Sequence, residues 1–141
     1  MMSSVLSLNR LRKEGHRDCL ACIHPDLHLD FSLVGPERMH SSLDFTQSMC
    51  SYNGHVHGGL LAFVADEAVT CLLLSKGKYA VTGELKLRYR LPVSVGRTAH
   101  IEVWLERSGG RLSKVRSTLT QAGKACVLAS ASMMDEALRP V

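Results

Sequence analysis

This chain has no strong charge of either sign, no uninterrupted membrane-length apolar run and no secretory leader pattern. Its 17 Lys and Arg residues against 13 Asp and Glu leave a formal charge of only +4. That mild excess favours an anionic ligand, but it is not the clustered basic surface of a nucleic-acid binder. The richest apolar run, Leu60 to Leu74, is broken by Asp66 and Glu67. It falls short of the ~20 apolar residues that span a bilayer, so a core helix and no membrane partner are expected. The opening MMSSVLSLNRLRKEG lacks an apolar leader core, and Arg10, Arg12 and Lys13 come too late for a leader's basic end. Five cysteines, an odd number, then point to free thiols in a reducing, cytoplasmic setting. Linkers, repeats and low-complexity tracts are also missing. One domain over residues 1–141 is expected, with residues 1–26 as an N-terminal helix and an irregular Cys-x-x-Cys segment.

What the chain does contain centres on Ser51 to Leu74, SYNGHVHGGLLAFVADEAVTCLLL. Glycines and histidines open it. The apolar residues that follow point all round a helical wheel, which predicts a helix buried on every side. Asp66 and Glu67 in its middle are costly there unless partnered, so they mark either an opening in the core or chemistry.

The other elements follow from periodicity. Residues 3–14 suit a short amphipathic helix with Val5, Leu8 and Leu11 or Leu6 on one side. Leu27, Leu29, Phe31 and Leu33 alternate with polar residues as a half-buried strand does. Gly35-Pro36 is a turn, and a second strand is expected from Met39 to Thr46. Gly77 stands where a helix C-cap glycine belongs. Strands are then predicted at 84–91, 98–106, 111–121 and 124–134, with Ser108-Gly109-Gly110 and Ala122-Gly123 as hairpin turns. In the first of these, Leu87 and Tyr89 are assigned to the core face, and Lys86, Arg88 and Arg90 to the outer face. Short turns imply an antiparallel sheet, and only the central helix is available to cover it. The expected class is α+β: an antiparallel sheet wrapped around one long helix, the hotdog fold. One helix covers such a sheet only in part, so dimerisation is expected too.

His57-Gly58-Gly59 at the helix start, with Asp66 nine residues after the histidine, resembles the active-site signature of hotdog acyl-CoA thioesterases similar to the phenylacetate-pathway enzyme. The likeness extends over residues 16–134. It takes in Asp66-Glu67-Ala68, the Tyr52…Gly54…Val56 approach, Leu87-Arg88-Tyr89 followed by Pro92, and Cys19-Leu20-Ala21-Cys22. The resemblance implies hydrolysis of an acyl- or aryl-CoA thioester, with coenzyme A entering as part of the substrate and no separate cofactor or metal. By the same resemblance Thr82 orients the water or Asp66. Where the family often places an asparagine, six residues before the histidine, this chain has Ser51, with Asn53 two residues later.

Physical chemistry is compatible with those roles. The first N–H groups of a helix lack intrahelical partners and sit at the positive end of its dipole. Glycines at 58 and 59 let a ligand approach that backbone closely, so the N–H groups can hold a thioester oxyanion. His57 is a candidate substrate contact there. Asp66 is then a general base or a nucleophile. Gly58 and Asp66, eight residues apart, are separated by about 12 Å at ~1.5 Å per residue. One thioester cannot touch both on one helix, so a homodimer is required, and pairing of dimers to a tetramer is expected. Two other classes are open. One is a non-catalytic hotdog protein that binds acyl thioesters. The other is a small zinc or redox module built on Cys19 and Cys22 with His16, His24 and His28, disfavoured because the second half of a paired zinc knuckle is missing.

Overall fold

Alternating apolar and polar residues make the C-terminal half an antiparallel sheet, and the apolar central segment becomes the helix it covers. A computed structural model describes residues 2–16 and 18–135, with side chains from residue 8 onward. The Val5 and Leu6 side chains assigned to the first helix therefore lie outside the described ones. The elements run α1 (Met2–Gly15), α2 (Leu20–Ile23), β1 (Ser32–Gly35), β2 (Arg38–Asp44), a 3-10 turn (Gln47–Met49), α3 (Gly58–Ser75), β3 (Ala80–Tyr89), β4 (Thr98–Gly109), β5 (Leu112–Gln121) and β6 (Lys124–Asp135).

All six strands join one antiparallel sheet in the order β1-β2-β4-β5-β6-β3. The inner face presents Ile101, Val103, Val115, Leu119, Val127, Ala131 and Met133, all buried. α3 lies against it with Val64, Ala68, Val69, Leu72, Leu73 and Leu74 buried. This long helix against a single antiparallel sheet is the hotdog fold. By length and composition alone α3 would also pass for a membrane span, but its apolar surface is used on the sheet and on α1. α3 ends in a Schellman motif: Lys78 N–H donates to the Leu73 carbonyl and Gly77 N–H to that of Leu74. Gly77 takes φ +80° there, which glycine tolerates best.

Several boundaries differ from expectation. α1 packs across α3, with Leu8 and Leu11 buried, so the sheet is not the helix's sole cover. β1 begins at Ser32, not Leu27. Leu29 and Phe31 are buried all the same, without the ladder hydrogen bonds that define a strand. β3 starts four residues earlier than its clear alternation, at Ala80. Tyr89, assigned to the core by that alternation, is 53% exposed. Trp104, on β4, lies beneath the Arg38 guanidinium, 4.7 Å from the ring centroid, a cation–π contact on the sheet's outer side.

Candidate active site

The start of α3 is built by its own capping residue. His57 has extended backbone angles, and its Nδ1 accepts the Gly59 N–H at 2.9 Å. A ring nitrogen that accepts leaves the proton of a neutral imidazole on Nε2. The Leu60 and Leu61 N–H groups reach the His57 carbonyl. The Gly58 N–H, first of the helix, has no partner among the described residues. Two backbone bonds hold the approach in place, from His57 N–H to the Met49 carbonyl and from Val56 N–H to that of Val93, both 2.8 Å. The Tyr89 hydroxyl donates to the Gly58 carbonyl at 2.8 Å, which explains why that ring leaves the core. Ser51, Gly58, Tyr89 and Leu91 line one cleft of about 300 Å³. Asn53 is exposed and does not line it.

Two turns along α3, Asp66 is half-buried, and its Oδ1 accepts the Thr82 hydroxyl at 2.6 Å. Thr82 reaches it because β3 is irregular. The pairing of β3 with β6 shifts between Thr82 and Glu84. The half-buried positions are therefore Ala80, Thr82, Leu85 and Leu87 instead of one unbroken alternation. A bulge of this kind re-aims the side chains on one side of it. Counting back in twos from Leu87 would have put Gly83 inward and Thr82 outward.

Glu67, one residue and about 100° further round the helix, is buried at 9% exposure. Its Oε1 accepts from Arg12 Nη2 at 3.4 Å and from the Cys71 thiol at 3.3 Å. Arg12 is itself only 6% exposed and also donates to the Leu29 carbonyl at 2.8 Å. Burial alone disfavours its cation, yet facing anionic groups outweigh that and raise its pKa. Burial pushes the Cys71 thiol well up, and the acidic side chain that meets Arg12 is Glu67, at 3.4 Å. Cys22 is pushed up to about 12, chiefly by burial, and burial lowers His16. Arg12 was not singled out by the sequence. The available signal was that it shares a helical face with Leu8, four residues before it, and a buried arginine needs an acid.

Within one chain the candidate residues thus form two separate groups. Gly58, Gly59, His57 and Ser51 gather at the helix start, and Asp66 and Thr82 sit about 12 Å along it at ~1.5 Å per residue. His16, Cys19 and Cys22 converge on Glu67. His28 instead meets Asp30 at 3.0 Å, and His24 lines a different cleft.

The thioesterase superfamily profile matches residues 53–127, just over half of the chain. No curated protein matches it by sequence. Among solved structures, the Escherichia coli PaaI protein from the phenylacetic acid degradation operon superposes with a TM-score of 0.82 at 14% identity, covering 98% of this chain and 96% of that one. A Streptococcus mutans protein bound to acetyl CoA gives a TM-score of 0.75 at 20% identity, covering 86% of this chain and 98% of its own. A further thioesterase superfamily protein gives 0.71 at 21% identity over 75% of this chain, which spans 55% of that protein's length. With the profile spanning the helix start, the acid and strands β3 to β5, this chain belongs to the thioesterase superfamily and is a hotdog-fold thioester hydrolase.

Proposed function

We propose that the protein hydrolyses acyl- or aryl-CoA thioesters at a site shared by two copies of the chain. The observation that carries this reading is the division of α3. An N–H with no partner among the described residues lies at its start, and a carboxylate held by a hydroxyl lies about 12 Å further along at ~1.5 Å per residue. Each end is half of a site. β3, ten residues long, is a sheet edge, and an unpaired edge of that length is a template for another strand. A second copy docked there would bring its Asp66 end towards the first copy's Gly58 end. Two such dimers pairing further would give a tetramer.

The chemistry then runs in balanced steps. Water attacks the thioester carbonyl carbon while Asp66 accepts its proton, and the Gly58 N–H holds the oxyanion. Collapse breaks the carbon–sulfur bond, and the proton passes to the leaving coenzyme A thiolate. Direct attack by Asp66, with hydrolysis of the resulting anhydride, uses the same groups. Thr82 holds Oδ1 and leaves Oδ2 to the water. Lys86, Arg88, Arg90 and Arg116 line a cleft of about 560 Å³ on the outer sheet face, suited to phosphate groups. The five cysteines are free, which suits a reducing compartment such as the cytoplasm.

A thiol-release assay over a panel of acyl-CoA esters, run beside light scattering, tests the reading. Hydrolysis by a homo-oligomer is expected. Binding of the esters without thiol release would make the protein a carrier instead, and full activity in a strict monomer would overturn the shared site. Thr82→Val should lower kcat by roughly 10–100-fold with KM little changed, the worth of a hydrogen bond to a charged group. An unchanged kcat would remove Thr82 from the site.

A further inference from the structure

The end of α1, the Cys-x-x-Cys turn and the side of α3 that carries Glu67 meet at four side chains of metal-ligand type. His16, Cys19, Cys22 and Glu67 each present one donor atom, and these atoms lie within 4.8 Å of one another. Cys22 Sγ is 3.8 Å from His16 Nδ1, and Cys19 Sγ is 4.0 Å from Glu67 Oε2. A tetrahedron with metal–sulfur bonds of ~2.3 Å and metal–nitrogen or –oxygen bonds of ~2.0 Å has edges of roughly 3.3–3.8 Å. The donor atoms, within 4.8 Å of one another, would have to close by up to about 1 Å, which side-chain rotation supplies. We propose that these four residues bind one divalent cation of the zinc class, in a closed structural site that ties the N-terminal segment to α3.

The surroundings suit that occupant in three ways. First, the carboxylate is divided in use: Arg12 and Cys71 hold Glu67 Oε1, which leaves Oε2 facing Cys19. Outer partners that orient a ligand in this way are a regular part of metal sites. Second, the charges close. Two thiolates, one carboxylate and a divalent ion sum to one negative charge, and the buried Arg12 beside them carries the compensating positive one. Third, there is a route in. A cleft of about 510 Å³ is lined by Arg12, His16, Cys22 and His28, so it opens onto two of the four ligands. Two sulfurs, an imidazole and one carboxylate oxygen in four-coordination select zinc over magnesium or calcium, which prefer all-oxygen shells. A redox dithiol would require only the two cysteines and would not account for the convergence of His16 and Glu67.

Metal content of the full-length protein, purified under reducing conditions and dialysed against metal-free buffer, should come to about one zinc per chain, the ratio of a closed structural site. Metal-free protein titrated with cobalt(II) alone should develop strong visible bands of tetrahedral coordination and a near-ultraviolet thiolate band. Both should be lost in Cys19→Ser/Cys22→Ser, weakened in His16→Gln and kept in Cys50→Ser. Added zinc should raise the Tm of the wild-type protein and leave that of the double serine variant unmoved. A pale octahedral cobalt spectrum with no retained zinc would overturn the proposal. So would a Cys19–Cys22 disulfide found in freshly isolated protein by mass spectrometry. These readouts do not use hydrolysis, so failure here leaves the thioesterase reading standing, and the reverse.

Discussion

Asp66→Asn is expected to lower kcat by about 10²–10⁴-fold, the usual contribution of a positioned base, while the melting temperature changes little. The amide keeps the shape of the side chain and can still accept the Thr82 hydroxyl, which now reaches Oδ1 at 2.6 Å. What it loses is the ability to take a proton from water or to attack the thioester. Near wild-type turnover would rule Asp66 out as base or nucleophile. The shared site adds a sharper test. Gly58→Pro removes the N–H proposed for the oxyanion at a position where proline fits, because it is the first helical residue and His57 before it is extended at φ −59°, ψ 129°. Each variant alone should be nearly inactive. Unfolded and refolded together in equal amounts, they should recover about a quarter of wild-type activity, since half the dimers are then mixed and each holds one intact site. No recovery, with mixed dimers demonstrated, would mean that Gly58 and Asp66 do not act across the interface.

Arg12→Met is expected to destabilise the fold by about 3–5 kcal/mol, the cost of leaving a buried charge without its partner, and to lower Tm by roughly 10–20 °C. Arg12 and Glu67 are 6% and 9% exposed, so water screens neither well. The methionine keeps most of the apolar stem that packs beside Leu8 and Leu11. The loss therefore reports the stranded Glu67 carboxylate and the unpaired Leu29 carbonyl more than a cavity. Adding Glu67→Gln should restore much of the stability, because a neutral amide tolerates burial far better than a carboxylate. Urea unfolding of both single variants and the double variant, in metal-free buffer, measures the coupling. A single-variant loss below ~1 kcal/mol would place the pair in the range of a surface ion pair.

The residues proposed for catalysis were more legible than the N-terminal packing, and the reason is range. Gly58, Gly59 and Asp66 lie on one continuous helix, whose rise per residue fixes their separation, and the alternation at 98–106, 111–121 and 124–134 is a local pattern of period two. The N-terminal segment offered less. Its burial depends on α3, more than forty residues later, and an arginine among leucines on a short helix reads as solvated until its acid is found. The same holds for the metal-ligand group. The sequence suggested His16, His24 and His28 beside Cys19 and Cys22 because they are near in the chain; the fold keeps His16, leaves out the other two and adds the distant Glu67.

By itself, then, the sequence determined the order of the strands and the two longer helices, though not α2 or the 3-10 turn. It also determined the buried helix with its glycine start and the separation of that start from the acid. All of these follow from local periodicity and helical geometry. Tertiary structure decided which way side chains face where periodicity breaks. The bulge at Thr82 and Glu84 turns the Thr82 hydroxyl onto Asp66, and the Gly58 carbonyl draws the Tyr89 hydroxyl out of the core. Packing of α1 on α3 gives Glu67 a cation. Each depends on a partner brought near by folding, and a hydrogen bond or ion pair exists only at that contact distance.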